Sequence, residues 1–302
     1  MKEKQSHKVA CHVQGLRPSE HCEDNLTHRT LVHVSERFKG VLLAVLNAYL
    51  DESGFEPESD YLCSAAYVFS REGSEKFFKE WDPFLVAKGI TTKGAKGHHA
   101  TDHQILPDAP ENFDKLRGLV LDTAERGFLR FVAKSDLKKV AHDQPDVLRL
   151  LGSPHALVTV SCMEDIAEYA KSKSCEVYYA IEEGADGGRA TSDLIQVIRE
   201  SPKLREHFAF HRADTYSKFK EIQLQSADLL AWSFNRGLKE KGIPGFDAED
   251  NFPELKNWLD PHVQMKGFSE KGIYIQGMHT GHLGLRTESI HNKDRRRSAN
   301  TA

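Results

Sequence analysis

Short apolar runs alternate with helically spaced apolar positions after residue 40, and this pattern predicts alternating strands and helices. The run over 41–51 is nearly all apolar until it stops at Asp51, which is typical of a strand buried on both faces. A second apolar run over 61–70 follows after a short turn through Gly54. The short gap predicts that the two strands form an antiparallel hairpin.

Further along the chain the spacing predicts helices that alternate with more strands. The helix predictions rest on apolar residues three and four positions apart, and the strand predictions on short apolar runs. The predicted helices cover 74–89, 112–126, 154–171, 190–200, 221–239 and 253–259, and the predicted strands cover 128–137, 176–182, 208–218 and 273–276. This order predicts an α/β fold, a mixed sheet with helices on both faces.

The pattern also divides the chain. Residues 1–40 are polar and show no period, so they are predicted to be a disordered or loosely packed leader. Residues 41–245 carry the strand and helix signals of one domain. Residues 246–302 have a weaker pattern and are predicted to be a C-terminal extension with a polar tail.

The composition of the chain argues against several classes of function. The chain has 302 residues, 39% of them hydrophobic, and a formal net charge of −4, which argues against broad charge-driven nucleic-acid binding but leaves room for a local basic groove. No apolar run has the length of a membrane span, and the first residues lack the apolar core of a signal peptide. The sequence therefore predicts a cytoplasmic protein without a membrane partner; it does not predict an oligomeric state.

Cysteine usage agrees with a reducing compartment. The five cysteines are an odd number and include no CxxC pair, which favours reduced thiols. A zinc site in the leader is an alternative whose spacing fits no common zinc finger; its candidate ligands are Cys11, Cys22, His28 and His33. His279 and His282, in the segment HTGH, could bind a metal, but an isolated histidine pair near a terminus is usually just exposed.

Three acidic residues stand at places where a carboxylate has no role in a core. Asp51 and Glu182 each end an apolar strand, and Asp228 lies on a mostly apolar face of the predicted helix 221–239. If the strands are neighbours and the helix crosses the sheet, the three carboxylates meet at one rim. A salt bridge from Asp228 to Lys218 or Arg212 is the simpler alternative.

Carboxylates that converge in this way can hold Mg²⁺ or Mn²⁺, because these hard cations prefer oxygen ligands. Two such cations about 3.5–4 Å apart are the usual catalysts of phosphodiester cleavage. The segment HHATD at 98–102 supplies two more candidates. His99 could orient water, and Asp102 could be a further metal ligand, although a solvated loop explains the segment as well.

Together, YLDESG at 49–54, the acid at 182 and DTYSKFKEIQLQSADLLAW at 214–232 resemble the domain of unknown function 3800 family. The resemblance spans roughly residues 45–240. It implies a ribonuclease H-like fold and metal-dependent nuclease activity on DNA or RNA. Asp51, Glu182 and Asp228 fall on the family's acidic positions.

Two details stay open at the matched positions. Glu183 is an equally acidic neighbour of Glu182, and the sequence does not separate them. Tyr216 stands between Asp214 and Ser217, where the family's motif is shorter, so the role of Lys218 in neutralising charge is less secure.

Two other functions compete with the nuclease prediction. An aspartate-nucleophile phosphatase resembles the end of the first strand but needs a second Asp where this chain has Ser53. A non-catalytic module that binds nucleic acid or protein on the same fold is the second alternative. It predicts no stabilisation by Mg²⁺ or Mn²⁺.

Overall fold

The computed structural model describes residues 44–54, 56, 58–92, 95–96, 99–103, 109–146, 153–183, 188–241 and 262–283. All of them belong to the compact unit Leu43–Ala302. The strands of this part are β1 (Ala44–Ser53), β2 (Tyr61–Phe69), β3 (Thr91–Thr92), β4 (Ala95–Lys96), β5 (Arg126–Ala133), β6 (Cys175–Glu182), β7 (Phe210–Tyr216) and β8 (Val263–Phe268). The helices are α1 (Arg71–Ala87), α2 (Ala100–His103), α3 (Ala109–Leu121), α4 (Lys134–Asp143), α5 (Pro154–Ser172), α6 (Gly188–Glu200), α7 (Pro202–His207), α8 (Leu224–Lys241) and α9 (Glu270–Leu283).

Six strands form one mixed sheet in the order β7-β6-β1-β2-β5-β8. Strand β2 runs antiparallel to both of its neighbours, whereas the pairs β1–β6, β6–β7 and β5–β8 are parallel. The antiparallel hairpin predicted for the first two strands is therefore confirmed. The sheet is mixed and carries helices on both faces, so the predicted α/β architecture is confirmed.

Side-chain alternation along β1 assigns its residues to two cores. Tyr49 packs with the apolar residues of α1, α3 and α8 on one face of the sheet. Leu50 packs with α5, α6 and α7 on the other face. Because successive side chains of a strand point to opposite faces, both sides of β1 are buried, as its continuous apolar run predicts.

The helix boundaries follow from local capping. Helix α1 begins after Ser70, whose Oγ accepts a hydrogen bond from the Gly73 backbone N–H at 3.2 Å, so the helix starts before the predicted first residue, 74. Helix α5 begins after Ser153, which caps it in the same way through the N–H of Ala156 at 3.0 Å.

Two predictions of local structure are wrong. The segment 273–276, predicted as a strand, lies inside helix α9, which Ser269 caps through the N–H of Gly272 at 3.3 Å. The predicted strand 128–137 ends at Ala133, and α4 follows with Leu137 and Val140 on its buried side. Short apolar runs fit either structure, and here the helical spacing of the apolar residues decides.

The segment predicted as a C-terminal extension contributes to the sheet. Strand β8 pairs in parallel with β5, from Gly127 opposite Val263 to Val132 opposite Phe268. Arg130 on β5 and Lys266 on β8 both bind Asp165 of α5, Lys266 at 2.7 Å. The predicted leader, the predicted helix 253–259 and the C-terminal tail lie outside the described residues.

Candidate metal centre

The parallel pairing of β1 and β6 places Asp51 beside Glu182. Tyr49 lies opposite Ala180 in the register, and both belong to the core on the α8 face. Two residues further along each strand, the side chains of Asp51 and Glu182 return to that same face. The two carboxylates therefore emerge side by side at the carboxyl end of the two strands, where ligands bind in open α/β sheets.

The same alternation distinguishes Glu182 from Glu183. Glu183 follows the end of β6, and its side chain is exposed. Its backbone N–H donates to the Tyr216 carbonyl at 2.9 Å, which extends the pairing of β6 with β7. Of the two neighbouring acids, the structure brings Glu182 into the acidic cluster.

The Lys218 ammonium lies among three carboxylates. Its Nζ is 2.8 Å from Asp228 Oδ1, 3.0 Å from Glu182 Oε1 and 3.4 Å from Asp51 Oδ2. Lys218 lies in the segment between β7 and α8, so four separate parts of the chain meet here. Thus the acids predicted from the sequence converge, and the salt bridge offered as the simpler role of Asp228 is also present.

Asp228 has a second set of contacts on its other side. Its Oδ2 accepts a hydrogen bond from the Ala100 backbone N–H at 2.7 Å, at the start of α2. His99 Nε2 lies 3.9 Å from Asp228 Oδ1. The HHATD segment therefore reaches the acidic cluster. Asp102 lies in α2, but its side chain is outside the described part of the structure.

The cluster is buried and has an excess of negative charge. Asp51 is 3% exposed, and Lys218 and Asp228 are each 7% exposed. Three carboxylates at −1 and one ammonium at +1 leave a formal charge of −2 when all are ionised. Buried charge without a counter-charge is costly, so this arrangement favours an additional cation.

The pKa values of Asp51 and Lys218 reflect this excess of negative charge. Burial raises the pKa of Asp51 well above its ordinary value; Lys218 opposes the shift, and the charges of Glu182 and Asp228 add to it. For Lys218, burial acts to lower the pKa, but Asp51, Asp228 and Glu182 outweigh it and raise the pKa. The ammonium is therefore held charged, while the carboxylates compete for one counter-ion.

Two further residues hold Lys218 in place, and the sequence reasoning did not identify them. Gln225 Nε2 donates to the Lys218 carbonyl at 3.0 Å, and Trp81 Nε1 donates to Gln225 Oε1 at 2.8 Å. Gln225 precedes Asp228 by three positions and so shares its helix face. The three-residue spacing could have pointed to Gln225, because it places the glutamine on the mostly apolar face of Asp228. A glutamine that is fully buried there needs hydrogen-bond partners for its amide.

Glu52 points to the opposite face of the sheet from Asp51. Its Oε1 accepts hydrogen bonds from Thr159 and, at 3.4 Å, from Thr191. His155 Nδ1 lies 3.6 Å from Glu52 Oε2. Burial raises the pKa of Glu52, and the threonine hydrogen bonds partly offset it. Asp51 and Glu52 are adjacent at the end of β1, but Asp51 lies beside Lys218 on one face and Glu52 beside two threonines on the other.

The donor set of the cluster fits a hard divalent cation. Its three carboxylates offer only oxygen atoms, which Mg²⁺ and Mn²⁺ prefer, and their excess charge matches a dication. The predicted zinc ligands Cys11, Cys22, His28 and His33 lie outside the described residues. Among the helices that the structure describes, none combines the length and the hydropathy that a membrane span requires.

Comparisons with known proteins give no family and no curated relative: no family model matches the chain, and no curated protein matches it. Among solved structures, it is similar to a chain of the PCNA:RNase HII complex from Archaeoglobus fulgidus (14% identity, 70% of this chain and 85% of that one, TM-score 0.37). It is also similar to ribonuclease H2 from Pyrococcus horikoshii OT3 (14% identity, 70% and 84%, TM-score 0.35). Similarities this low establish no activity for the chain.

Proposed function

We propose that this protein is a metal-dependent nuclease that cleaves phosphodiester bonds. The observation that carries the proposal is the convergence of Asp51, Glu182 and Asp228 on the Lys218 ammonium at the carboxyl ends of β1 and β6. A core built only for stability has no use for an excess of buried carboxylates, since apolar residues of similar size are often as stable or more so. Selection for a function explains their presence better.

Each residue of the cluster has a distinct role in the proposal. Asp51, Glu182 and Asp228 would hold Mg²⁺ or Mn²⁺, and Asp102 is a further candidate ligand at the start of the same helix as Ala100. The bound metal would supply Lewis-acid stabilisation of the charge that develops on a phosphodiester. Lys218 would neutralise carboxylates before binding and phosphate charge afterwards.

His99 is proposed to orient a water molecule. Its imidazole lies 3.9 Å from Asp228 Oδ1, at the exposed side of the cluster, and its side chain is 30% exposed. A partly exposed imidazole beside the carboxylates can accept a proton from water and release it to solvent. Because Glu183 is exposed and faces away from Lys218, it is given no part.

The proposed substrate is nucleic acid, DNA or RNA. The resemblance of the motifs to the domain of unknown function 3800 family supports the same activity, and membership in that family is part of the proposal. Cytoplasmic location stays a prediction. The net charge of −4 favours a substrate that is recognised locally at the cluster rather than by a broad basic surface.

The test is a cleavage assay on labelled single-stranded and double-stranded DNA, RNA and hybrid substrates, with Mn²⁺ or Mg²⁺ and with EDTA. The wild type should cleave at least one substrate with either metal and none in EDTA. Asp51→Asn and Asp228→Asn should lose that cleavage while keeping the native circular-dichroism spectrum. Asp165→Asn, an equally buried aspartate outside the cluster, is the matched control.

The alternatives give different results in the same experiment. A non-catalytic module would cleave none of the substrates, and its melting temperature would not respond to Mg²⁺ or Mn²⁺. A phosphatase acting through Asp51 would release phosphate and form a phospho-aspartate that can be trapped. Full activity of Asp51→Asn with ample metal would rule out the proposed site.

A further inference from the structure

A second group of ligand-type side chains lies on the other face of the sheet. Glu164 belongs to α5, His207 ends α7, and His279 lies on α9. One ligand atom from each lies within 4.8 Å of the other two. These residues are far apart in the sequence, so no spacing motif predicts that they form a group. The sequence analysis favoured an exposed position for His279.

The distances within this group match those around a tetrahedral zinc ion. Glu164 Oε1 lies 3.2 Å from His207 Nε2 and 3.1 Å from His279 Nε2. Two donors that each lie about 2.0–2.2 Å from one Zn²⁺ in tetrahedral geometry are about 3.3 Å apart. Two of the three edges therefore have this length, and the ligand atoms of the two partly exposed imidazoles lie within 4.8 Å of each other.

Neighbouring groups contact Glu164 and His207. Gln276 Nε2 donates to Glu164 Oε2 at 2.9 Å, which leaves Oε1 to the imidazoles. Lys171 Nζ donates to the His207 carbonyl at 2.6 Å, and the Phe208 ring packs edge-on against the His207 imidazole. Outer partners that fix ligand orientation in this way are a regular feature of metal sites.

A simple ion pair explains the arrangement less well. One imidazolium is enough to pair with Glu164, so an ion pair alone does not account for the second imidazole on the same carboxylate oxygen. His211 shows the simple case: its Nδ1 lies 3.0 Å from Glu176 Oε2 in a pair with one imidazole. Two imidazoles and one carboxylate are, by contrast, a donor set that suits zinc.

We propose that Glu164, His207 and His279 bind Zn²⁺, with water as the fourth ligand, and that the metal fastens α9 to α5 and α7. This site is separate from the carboxylate cluster, whose oxygen donors favour Mg²⁺ or Mn²⁺. Helix α9 is also held by Ile273, which packs in the core with Leu137 and Val140, by the pair of Glu270 with Lys139, and by Leu283. The metal would add a fixed point at His279.

The experiment is a Zn²⁺ titration of the full chain, stripped with EDTA and dialysed, against a chromophoric zinc chelator in excess Mg²⁺. The Asp228→Asn variant is used as background so that the carboxylate cluster does not contribute. One zinc equivalent should bind tightly. His279→Gln and Glu164→Gln should each weaken binding at least tenfold, whereas His211→Gln, which disrupts the single-imidazole pair, should leave it unchanged.

A second measurement reports on geometry and on the helix. Co²⁺ in place of Zn²⁺ should give the visible absorption of a tetrahedral site, and Zn²⁺ should slow amide hydrogen exchange in α9. His279 is 44% exposed, so its substitution should not prevent folding. Absence of a tight zinc equivalent, or undiminished affinity in His279→Gln and Glu164→Gln, would overturn the proposal.

Discussion

The Lys218 ammonium lies 2.8 Å from Asp228 Oδ1, and the two residues are ten positions apart in the chain. Lys218 precedes α8 and Asp228 lies in its second turn, so the contact folds the segment before the helix back onto it. The same ammonium reaches Glu182 at 3.0 Å and Asp51 at 3.4 Å. One cation thus balances part of the charge of three acids, and this imbalance leads to the first predictions.

Asp51→Asn is expected to raise the free energy of unfolding of the metal-free protein near neutral pH by on the order of 1 kcal/mol. One of three crowded carboxylates becomes neutral, while Lys218 keeps Glu182 and Asp228 as partners. In Mn²⁺ the wild type should be the more stable of the two proteins, because it gains metal-binding energy that the variant loses. Urea unfolding in EDTA and in Mn²⁺ measures both values.

The gain from Asp51→Asn should also depend on pH. Burial raises the pKa of Asp51 in the folded protein, so its contribution favours folding below the unfolded-state pKa of about 3.9 and is lost as the pH rises through the folded value. Asn does not titrate. The advantage of the variant in EDTA should therefore be absent near pH ~4 and grow towards neutral pH. A pH-independent difference would contradict this assignment.

Lys218→Met should destabilise the metal-free protein by about 3–5 kcal/mol, because three buried carboxylates lose their shared counter-charge. Mn²⁺ should restore part of this loss, since a bound dication supplies the missing positive charge. The measurement is thermal unfolding of the variant in EDTA and with increasing Mn²⁺. If Mn²⁺ shifts wild type and variant equally, Lys218 and the metal do not share the cluster.

Asp165→Asn should show the opposite sign from Asp51→Asn. Asp165 is 4% exposed and is paired with Arg130 and Lys266, so it has more cations than it can balance. Neutralising it leaves Arg130 poorly compensated and should cost about 3 kcal/mol at neutral pH. Urea unfolding gives the value, and cleavage per folded molecule should equal that of the wild type.

Trp81→Phe should cost about 1–3 kcal/mol, because it removes the donor to Gln225 Oε1 in a fully buried position. Gln225 in turn donates to the Lys218 carbonyl, so metal-dependent cleavage should fall as well. Trp232→Phe is the control, since Trp232 is half-buried and stacks on Phe113. Equal losses in the two variants would show that only aromatic packing matters.

His99→Gln should lower the rate of metal-dependent cleavage by about 10²-fold or more without changing the melting temperature. The side chain is 30% exposed and contributes little to the core, whereas its imidazole faces the acidic cluster. The comparison is kcat at saturating Mn²⁺. A rate equal to that of the wild type would remove His99 from the proposed site.

Much of the acidic cluster was predictable because it depends on local patterns. The apolar runs that end at Asp51 and Glu182 reveal two buried strands, and the period of two places each acid relative to its own strand. The apolar neighbours of Asp228 reveal a helix face on which a carboxylate needs a partner. The period alone does not separate Glu182 from Glu183, because both faces of β6 are buried; the assignment needs the packing of Tyr178 and Ala180 on the α8 side of the sheet.

The wrong prediction for α9 and the missed strand β8 also have local causes. The segment 273–276, in which three apolar residues precede Gln276, fits a strand as well as a helix; the cap at Ser269 and the packing of Ile273 accompany the helix. Strand β8 escaped detection because only Val263 and Phe268 are buried in it, and the residues between them, Gln264 to Gly267, form no continuous apolar run. An edge strand of this kind carries a weak pattern, since pairing along one side holds it in place.

Local sequence patterns are enough to predict an α/β sheet with Asp51 and Glu182 at strand ends and Asp228 on an apolar helix face, because periodicity and burial act over a few neighbouring residues. Three-dimensional packing is needed to select Lys218 over Arg212 as the partner of Asp228, to place it also beside Asp51 and Glu182, and to bring Glu164, His207 and His279 together. Such contacts depend on strand order and helix packing, which bring together residues that no local pattern connects.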